Sequence, residues 1–408
     1  MYQALNIFKS KPILAASLSL LVLLICSYHF LIRIGLNLSG LIAFTAIILI
    51  LSLAKEAKTF LFDSLTRPRE DFLTLCILFF SFTGIIFHSE NSIEIGLTVI
   101  LFLSIYLIFK NQDENLNNFI SDLMIVSGVF MSIGVLIGLF ESMFLSSELF
   151  YHIFDGYPYI DQKVTYSGFG YNHNYSAYII VVAQSFLLLS TSAFMKNLKM
   201  YLTVLFLLVL LITGAKIAFL FISLVICNYF IEDKIKKNLI NVILIVFYLF
   251  ASHTLILLHG SYDLGSLHYR ELLFSVGNID FVLNNYGYMK TAYFIELKDS
   301  LFLPVNLKDV TQTINLDPHS LIYSLMILGG FPLAISVFMF ISIGIYRNFK
   351  NIQERYPNYY FCGLISIITE TFIWDSNNFI FFWVIVLYAI TNSKDPHPSD
   401  SKPKIPIN

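Results

Sequence analysis

Apolar runs of about 20 residues recur along almost the whole chain, joined by short polar stretches and interrupted by one long polar segment, 259–318. A run of that length matches the hydrocarbon thickness of a bilayer, and inside hydrocarbon its backbone must satisfy its own hydrogen bonds as a helix. Spans are predicted at 12–31, 37–54, 71–88, 92–109, 119–145, 174–194, 200–213, 216–231, 238–258, 319–346, 359–374 and 377–391. Of 408 residues, 57% are hydrophobic and 13% charged, with a mean hydropathy of +0.74; an ordinary soluble domain is excluded. The expected fold is an all-α polytopic integral membrane protein of about 12 transmembrane helices. It forms one domain over 1–392, and the polar, Pro-rich tail 393–408 is too poor in apolar residues to fold. The first span follows Lys9 and Lys11 like a signal peptide but has no clear cleavage site, and reads as an uncleaved helix.

The basic residues set the orientation. With both termini in the cytoplasm, all but seven of the 25 Lys and Arg fall on the cytoplasmic face. The exceptions are Arg33, Lys163, Lys216, Arg270, Lys290, Lys298 and Lys308, and the last four lie in the long loop. The long loop therefore faces away from the cytoplasm. A net charge of −2 gives no ground for a nucleic-acid partner. Cys26, Cys76, Cys227 and Cys362 all sit in apolar spans, as small buried hydrophobes do, and form neither a disulfide frame nor a metal site.

Charge also predicts a break inside 201–230. Two short helices interrupted at Thr213-Gly214-Ala215-Lys216 keep both Lys196/Lys199 and the Lys234–Lys237 cluster inside, which a single helix does not. Lys216 then stands near the outer end of a shortened helix, either facing water and a partner or snorkelling to the interface. A second outer loop, 146–173, carries five tyrosines and ends in Gly170-Tyr171-Asn172-His173-Asn174. Aromatic planes beside amide donors suit sugar rings, making Tyr166, Asn172, His173 and Asn174 candidate glycan contacts; an interfacial aromatic belt with helix-capping Asn is the plainer reading. Glu141 and Glu370 are intramembrane acids, each a functional candidate or the partner of a buried cation.

The long loop has a net charge of −3, so a cation in a particular place, not a general anion trap, is expected there. Arg270 opens an amphipathic stretch and could hold a phosphate bidentately or pair with Asp263. Asn284-Asn285-Tyr286-Gly287 reads as a turn. His319 follows Asp317-Pro318 where the loop re-enters the membrane, and a neutral imidazole there can take a proton from a reacting hydroxyl.

With these residues in place the chain resembles the bacterial O-antigen polymerase and ligase superfamily. The likeness rests on Gly170-Tyr171-Asn172-His173-Asn174, on Thr213-Gly214-Ala215-Lys216 (Lys where the family has Arg), on Arg270 with Gly287 downstream, and on Asp317-Pro318-His319-Ser320 with Gly329-Gly330 after it (Ser where the family has Asn). It covers roughly 165–345. The resemblance implies a metal-independent, inverting glycosyltransferase of the inner membrane, without cofactor. Its donor is an oligosaccharide on undecaprenyl pyrophosphate at the periplasmic face. It implies Arg270 and His319 as catalytic, Arg270 and Lys216 on the pyrophosphate, Tyr286 among the glycan contacts, and Glu141 and Glu370 as supporting acids. The lipid bilayer, a chain-length regulator and a flippase are the implied partners. The looseness of the motifs favours polymerase over ligase. A polytopic transporter, a membrane glycosyltransferase of another type and a structural assembly subunit are the readings from other classes.

Overall fold

The computed structural model describes residues 7–66, 68–87, 92–111, 113–145, 149–157, 160–170, 172–189, 193–231, 233–257, 321–355, 358–373 and 379–391. Arg270, Tyr286, His319, the rest of the long loop and the tail after 392 lie outside them.

After a single helical turn at 7–10, thirteen helices follow among the described residues. They are α1 Pro12–Arg33, α2 Ser39–Ser52, α3 Ala54–Thr66, α4 Pro68–Phe87, α5 Ser92–Lys110, α6 Glu114–Phe144, α7 His173–Leu189, α8 Ala193–Thr213, α9 Lys216–Phe230, α10 Lys234–Leu257, α11 Leu321–Arg355, α12 Asn358–Ile373 and α13 Phe379–Thr391. Each predicted span carries one of them; α3, which is not apolar overall, is the addition. Among the described residues three helices are long and apolar enough to cross a membrane: Pro12–Arg33, Glu114–Phe144 and the stretch Ser324–Arg347 of α11. A fourth is added if the bent pair α2 and α3 counts as one span, and further apolar stretches, such as Asp71–Phe87 within α4 and Asn197–Thr213 within α8, are shorter, at 10–17 residues. These helices make the chain a membrane-embedded, predominantly helical protein.

Helix α7 is the centre. Every residue from Tyr175 to Leu187 is buried, and the helix packs against α6, α8, α9, α12 and α13. Its sequence is mostly apolar on every face, with Ser176, Gln184 and Ser185 among its buried polar residues, as suits a helix enclosed on all sides. Small residues allow the closest approaches: a Cβ on Gly128 of α6 would collide with Ala183, and one on Gly363 of α12 with Ser185. Two buried tyrosine hydroxyls tie helices together, with Tyr178 Oη 2.8 Å from Thr371 Oγ1 and Tyr360 Oη donating to the Ile385 carbonyl at 2.6 Å.

Polar contacts fix two ends of the bundle. Lys11 pairs with Asp113 at 3.2 Å, joining the starts of α1 and α6, while Arg33 at the end of α1 reaches the loop that follows α6. Near the first end, Asp71 is buried and accepts from Lys110 Nζ (2.6 Å), Tyr106 Oη (2.6 Å) and Ser64 Oγ (3.2 Å). At the opposite end the outer loop, read from the sequence as a tyrosine-rich loop, folds as an antiparallel hairpin of β1 Tyr151–Tyr157 and β2 Ile160–Tyr166, with Tyr151 opposite Tyr166 and Ile153 opposite Val164.

The predicted interruption is present, and α11 carries a second one that was not predicted. Between α8 and α9, Gly214 adopts φ +60 and Ala215 is extended, so one apolar run becomes two helices. In α11 the helical path fails at Gly329 and at Gly330 (φ 73, ψ −179), two residues before Pro332. Glycine is required twice there: Gly330 for its left-handed φ, and Gly329 because a Cβ would stand 2.7 Å from the Phe80 carbonyl of α4.

Candidate functional site at the hairpin end

The loop between α6 and α7 is held at its base through its own backbone. Glu141, buried in the last turn of α6, accepts from the Leu149 N–H through Oε1 (2.9 Å) and from the Phe150 N–H through Oε2 (2.8 Å). A carboxylate at a helix C-terminus faces the negative end of the dipole; two charge-assisted bonds to amides offset this. Arg33 takes the carbonyls. Its Nη1 donates to Leu149 O at 2.7 Å, its Nη2 to Gly170 O at 2.9 Å, and both reach Ser167 Oγ at 3.3 Å. The amides of Ser167 and Gly168 in turn donate to Phe150 O. Leu149 thus has its N–H held by an acid and its C=O by a base, and the fork of one guanidinium ties the loop's entry to its exit.

Aromatic packing fills the space beneath. Phe169 stacks on Phe130 of α6 at 4.2 Å, and Phe150 stacks on Phe30 of α1 at 4.9 Å. Gly168, at φ +55, lies against α6 so closely that a Cβ would approach the Val135 nitrogen to 2.7 Å. The Ser176 hydroxyl donates to the Ser167 carbonyl, binding the loop to the first turn of α7.

Of the candidate glycan contacts, the four within the described residues stand at this end, in distinct roles. Asn172 is the N-cap of α7, its Oδ1 accepting from the Tyr175 N–H at 2.8 Å. The capping role noted as the plainer reading is what its side-chain oxygen performs, which leaves only its amide donors for a ligand. Tyr166, half-buried at the end of β2, has its Oη in reach of Ser142 Oγ at 3.3 Å. His173 and Asn174 open α7 and are half-buried. The Asn174 Oδ1 is shut off from solvent and has no hydrogen-bond partner among the described residues.

Lys216 belongs to the same end. Lys199 Nζ donates to Leu188 O at 3.2 Å and Gln184 Nε2 to Thr203 Oγ1 at 3.3 Å, so α7 and α8 run antiparallel in one register. Continued upward, that register brings Thr213 level with Asn174, and Lys216 follows as the half-buried first residue of α9. Glu370 lies near this level too. It is buried in α12 and accepts from Tyr248 Oη at 2.6 Å, and its neighbour Thr371 meets Tyr178, within two turns of the start of α7.

Two expectations are therefore refined. Glu141 was a candidate partner for a buried cation, and the contacts described above direct its carboxylate to backbone amides. Arg33, read only as one of the few outer cations, proves to be the organiser of the loop. The signal was available, because an arginine that violates the positive-inside bias at the end of a span needs a reason to be there. Among the described residues no group of three or more His, Cys, Asp or Glu is placed to hold a metal ion. Comparison with family models, with curated proteins and with solved structures gives no match to this chain.

Proposed function

We propose that the chain is a bacterial inner-membrane polymerase of O-antigen or a related surface polysaccharide, with twelve spans, both termini cytoplasmic and the hairpin end facing the periplasm. The observation that carries this reading is that Tyr166, His173 and Asn174 stand at the end of a loop fixed through its backbone, with Lys216 and Glu370 near the same level of the bundle. The resemblance of the interrupted segment at Thr213-Gly214-Ala215-Lys216 and of the Asp317-Pro318-His319 re-entry supports it from the sequence side.

In this reading a hydroxyl oxygen of the acceptor glycan attacks the anomeric carbon of the donor. The carbon–oxygen bond to undecaprenyl pyrophosphate breaks, the configuration inverts and the hydroxyl proton passes to His319. Arg270 and Lys216 take up the charge that develops on the departing pyrophosphate. Tyr166, His173, Asn174 and Tyr286 hold sugar rings, and Asn172 acts through the helix it caps. The partners are the lipid-linked oligosaccharide, a chain-length regulator and a flippase. The same chemistry with lipid A-core as acceptor would make the chain a ligase.

The test is the surface-glycan ladder of a deletion strain complemented with wild type, Arg270→Ala, His319→Ala or Lys216→Ala. A polymerase leaves core with a single repeat in the deletion strain, whereas a ligase leaves bare core with lipid-linked polymer. Arg270→Ala is expected to lower polymerisation about 100-fold or more, as loss of a charge-stabilising group does. One observation favours a transporter instead: α11 is discontinuous at Gly329-Gly330 and α2 is bent by 64° from α3, and interrupted helices are the usual substrate elements of transporters. An unchanged ladder would decide for it.

A further inference from the structure

The helix α3 was not expected, and its surface is not accounted for by any role given above. It leaves α2 after the single residue Leu53, at an angle of 64°. If α2 runs through the bilayer, a helix leaving it at that angle runs mainly along the surface. Its level is set by the polar end of the bundle. Ser64 is bonded to Asp71, which holds Lys110, and the Lys110 ammonium stands 4.9 Å over the ring of Phe60.

The two sides of α3 differ in chemistry. Phe60 and Ser64 are buried against the bundle, at 3% and 0% exposure. Lys55, Lys58 and Phe62 recur at spacings of three and four and so share the opposite stripe. All three are exposed, Phe62 at 68%, with Leu61 beside them at 52%. Glu56 is half-buried on the side of Phe60, and Asp63, though exposed, stands about 100° round the helix from the centre of the Lys55–Lys58–Phe62 stripe. The outward stripe therefore combines two cations with two large apolar side chains and has no carboxylate. Such a face fits neither water alone nor hydrocarbon alone. It fits a headgroup layer, where apolar side chains enter the acyl boundary and ammonium groups meet phosphates.

We infer that α3 is an interfacial helix whose Lys55–Lys58–Phe62 stripe binds anionic phospholipid at the end of the bundle opposite the hairpin. The segregation of positive charge selects anionic over zwitterionic headgroups, each lysine contributing about five-fold in affinity. Because Phe60 and Ser64 lie on the Lys110–Asp71 pair, lipid bound to the outer stripe seats the helix on that pair. This inference does not depend on the glycan reading.

The test uses the full-length protein with Phe62→Trp in vesicles of phosphatidylcholine containing phosphatidylglycerol, with bromine on the acyl chains of one lipid or of the other. The signal is the fluorescence of Phe62→Trp less that of the parent chain. Stronger quenching by brominated phosphatidylglycerol at equal mole fraction is expected, falling toward parity when Lys55→Gln and Lys58→Gln are added. Absence of quenching by either lipid would mean that the stripe faces water, a second copy or a soluble protein, and would overturn the inference. Equal quenching by both lipids, or a preference untouched by the lysine changes, would overturn the lipid selectivity. A change in the glycan ladder bears on the proposed function alone.

Discussion

Arg33 and Glu141 at the hairpin end direct their charges mainly to peptide groups of one loop, whereas Asp71 at the other end directs its charge to three side chains on two neighbouring helices. Bonds to backbone fix the path of a segment whatever its side chains are. Bonds among side chains fix the mutual position of helix ends and leave nothing over for a ligand. The hairpin end is thus a frame for its loop, and the opposite end is a fastening that carries the outer stripe of α3.

Substitutions at the two ends should separate fastening from frame. The largest effect is expected for Asp71→Ala, which leaves the Lys110 ammonium partly buried without its acceptor. A loss of about 3–5 kcal/mol is expected, seen as a fall in the unfolding midpoint in detergent, with Lys110→Met added to Asp71→Asn recovering most of it. If Asp71→Ala proved neutral, the contrast between the ends would fail. Next comes Glu141→Gln, which turns a two-oxygen acceptor into one with an amide donor facing an N–H. The cost is about 1–3 kcal/mol, and its signature is faster proteolytic cleavage within 149–170 at unchanged helical circular dichroism.

Arg33→Lys is the sharper probe of the frame. A point charge on a flexible stem cannot bond the Leu149 and Gly170 carbonyls as a fork does, and loss of one or two bonds of about 1 kcal/mol each is expected. Loop cleavage should rise while the global midpoint moves little; a large global loss would make Arg33 a fastening like Asp71. The smallest effect is expected for Asn172→Ala, about 1 kcal/mol for a lost N-cap. Asn172→Asp should restore the midpoint, and if it also restores polymer length, capping is the whole contribution of that side chain.

Much of this architecture is legible in the sequence. Apolar runs of hydrocarbon length mark the helices, since a backbone in lipid has few other ways to satisfy its polar groups. The break at Thr213-Gly214-Ala215 follows from the lysines on either side of it, because charge placement is a local and additive signal. Tyr166, Asn172, His173, Asn174 and Lys216 were visible as candidates for the same reason, being polar residues at the ends of apolar runs.

What the sequence could not supply is partnership. The acceptors of Arg33 are carbonyls of Leu149 and Gly170, more than a hundred positions away, and a carbonyl is the same at every residue. The donors to Glu141 are likewise amides, with no signature in the side chains of Leu149 and Phe150. Composition determined that this chain lies in a membrane and where its helices run, because burial of apolar side chains depends on each residue's own chemistry. Only the tertiary structure decided that α7 is enclosed on every side, that the outer loop is a clamped hairpin and that α3 presents a cationic stripe. Those features depend on which backbone and which neighbour each residue meets.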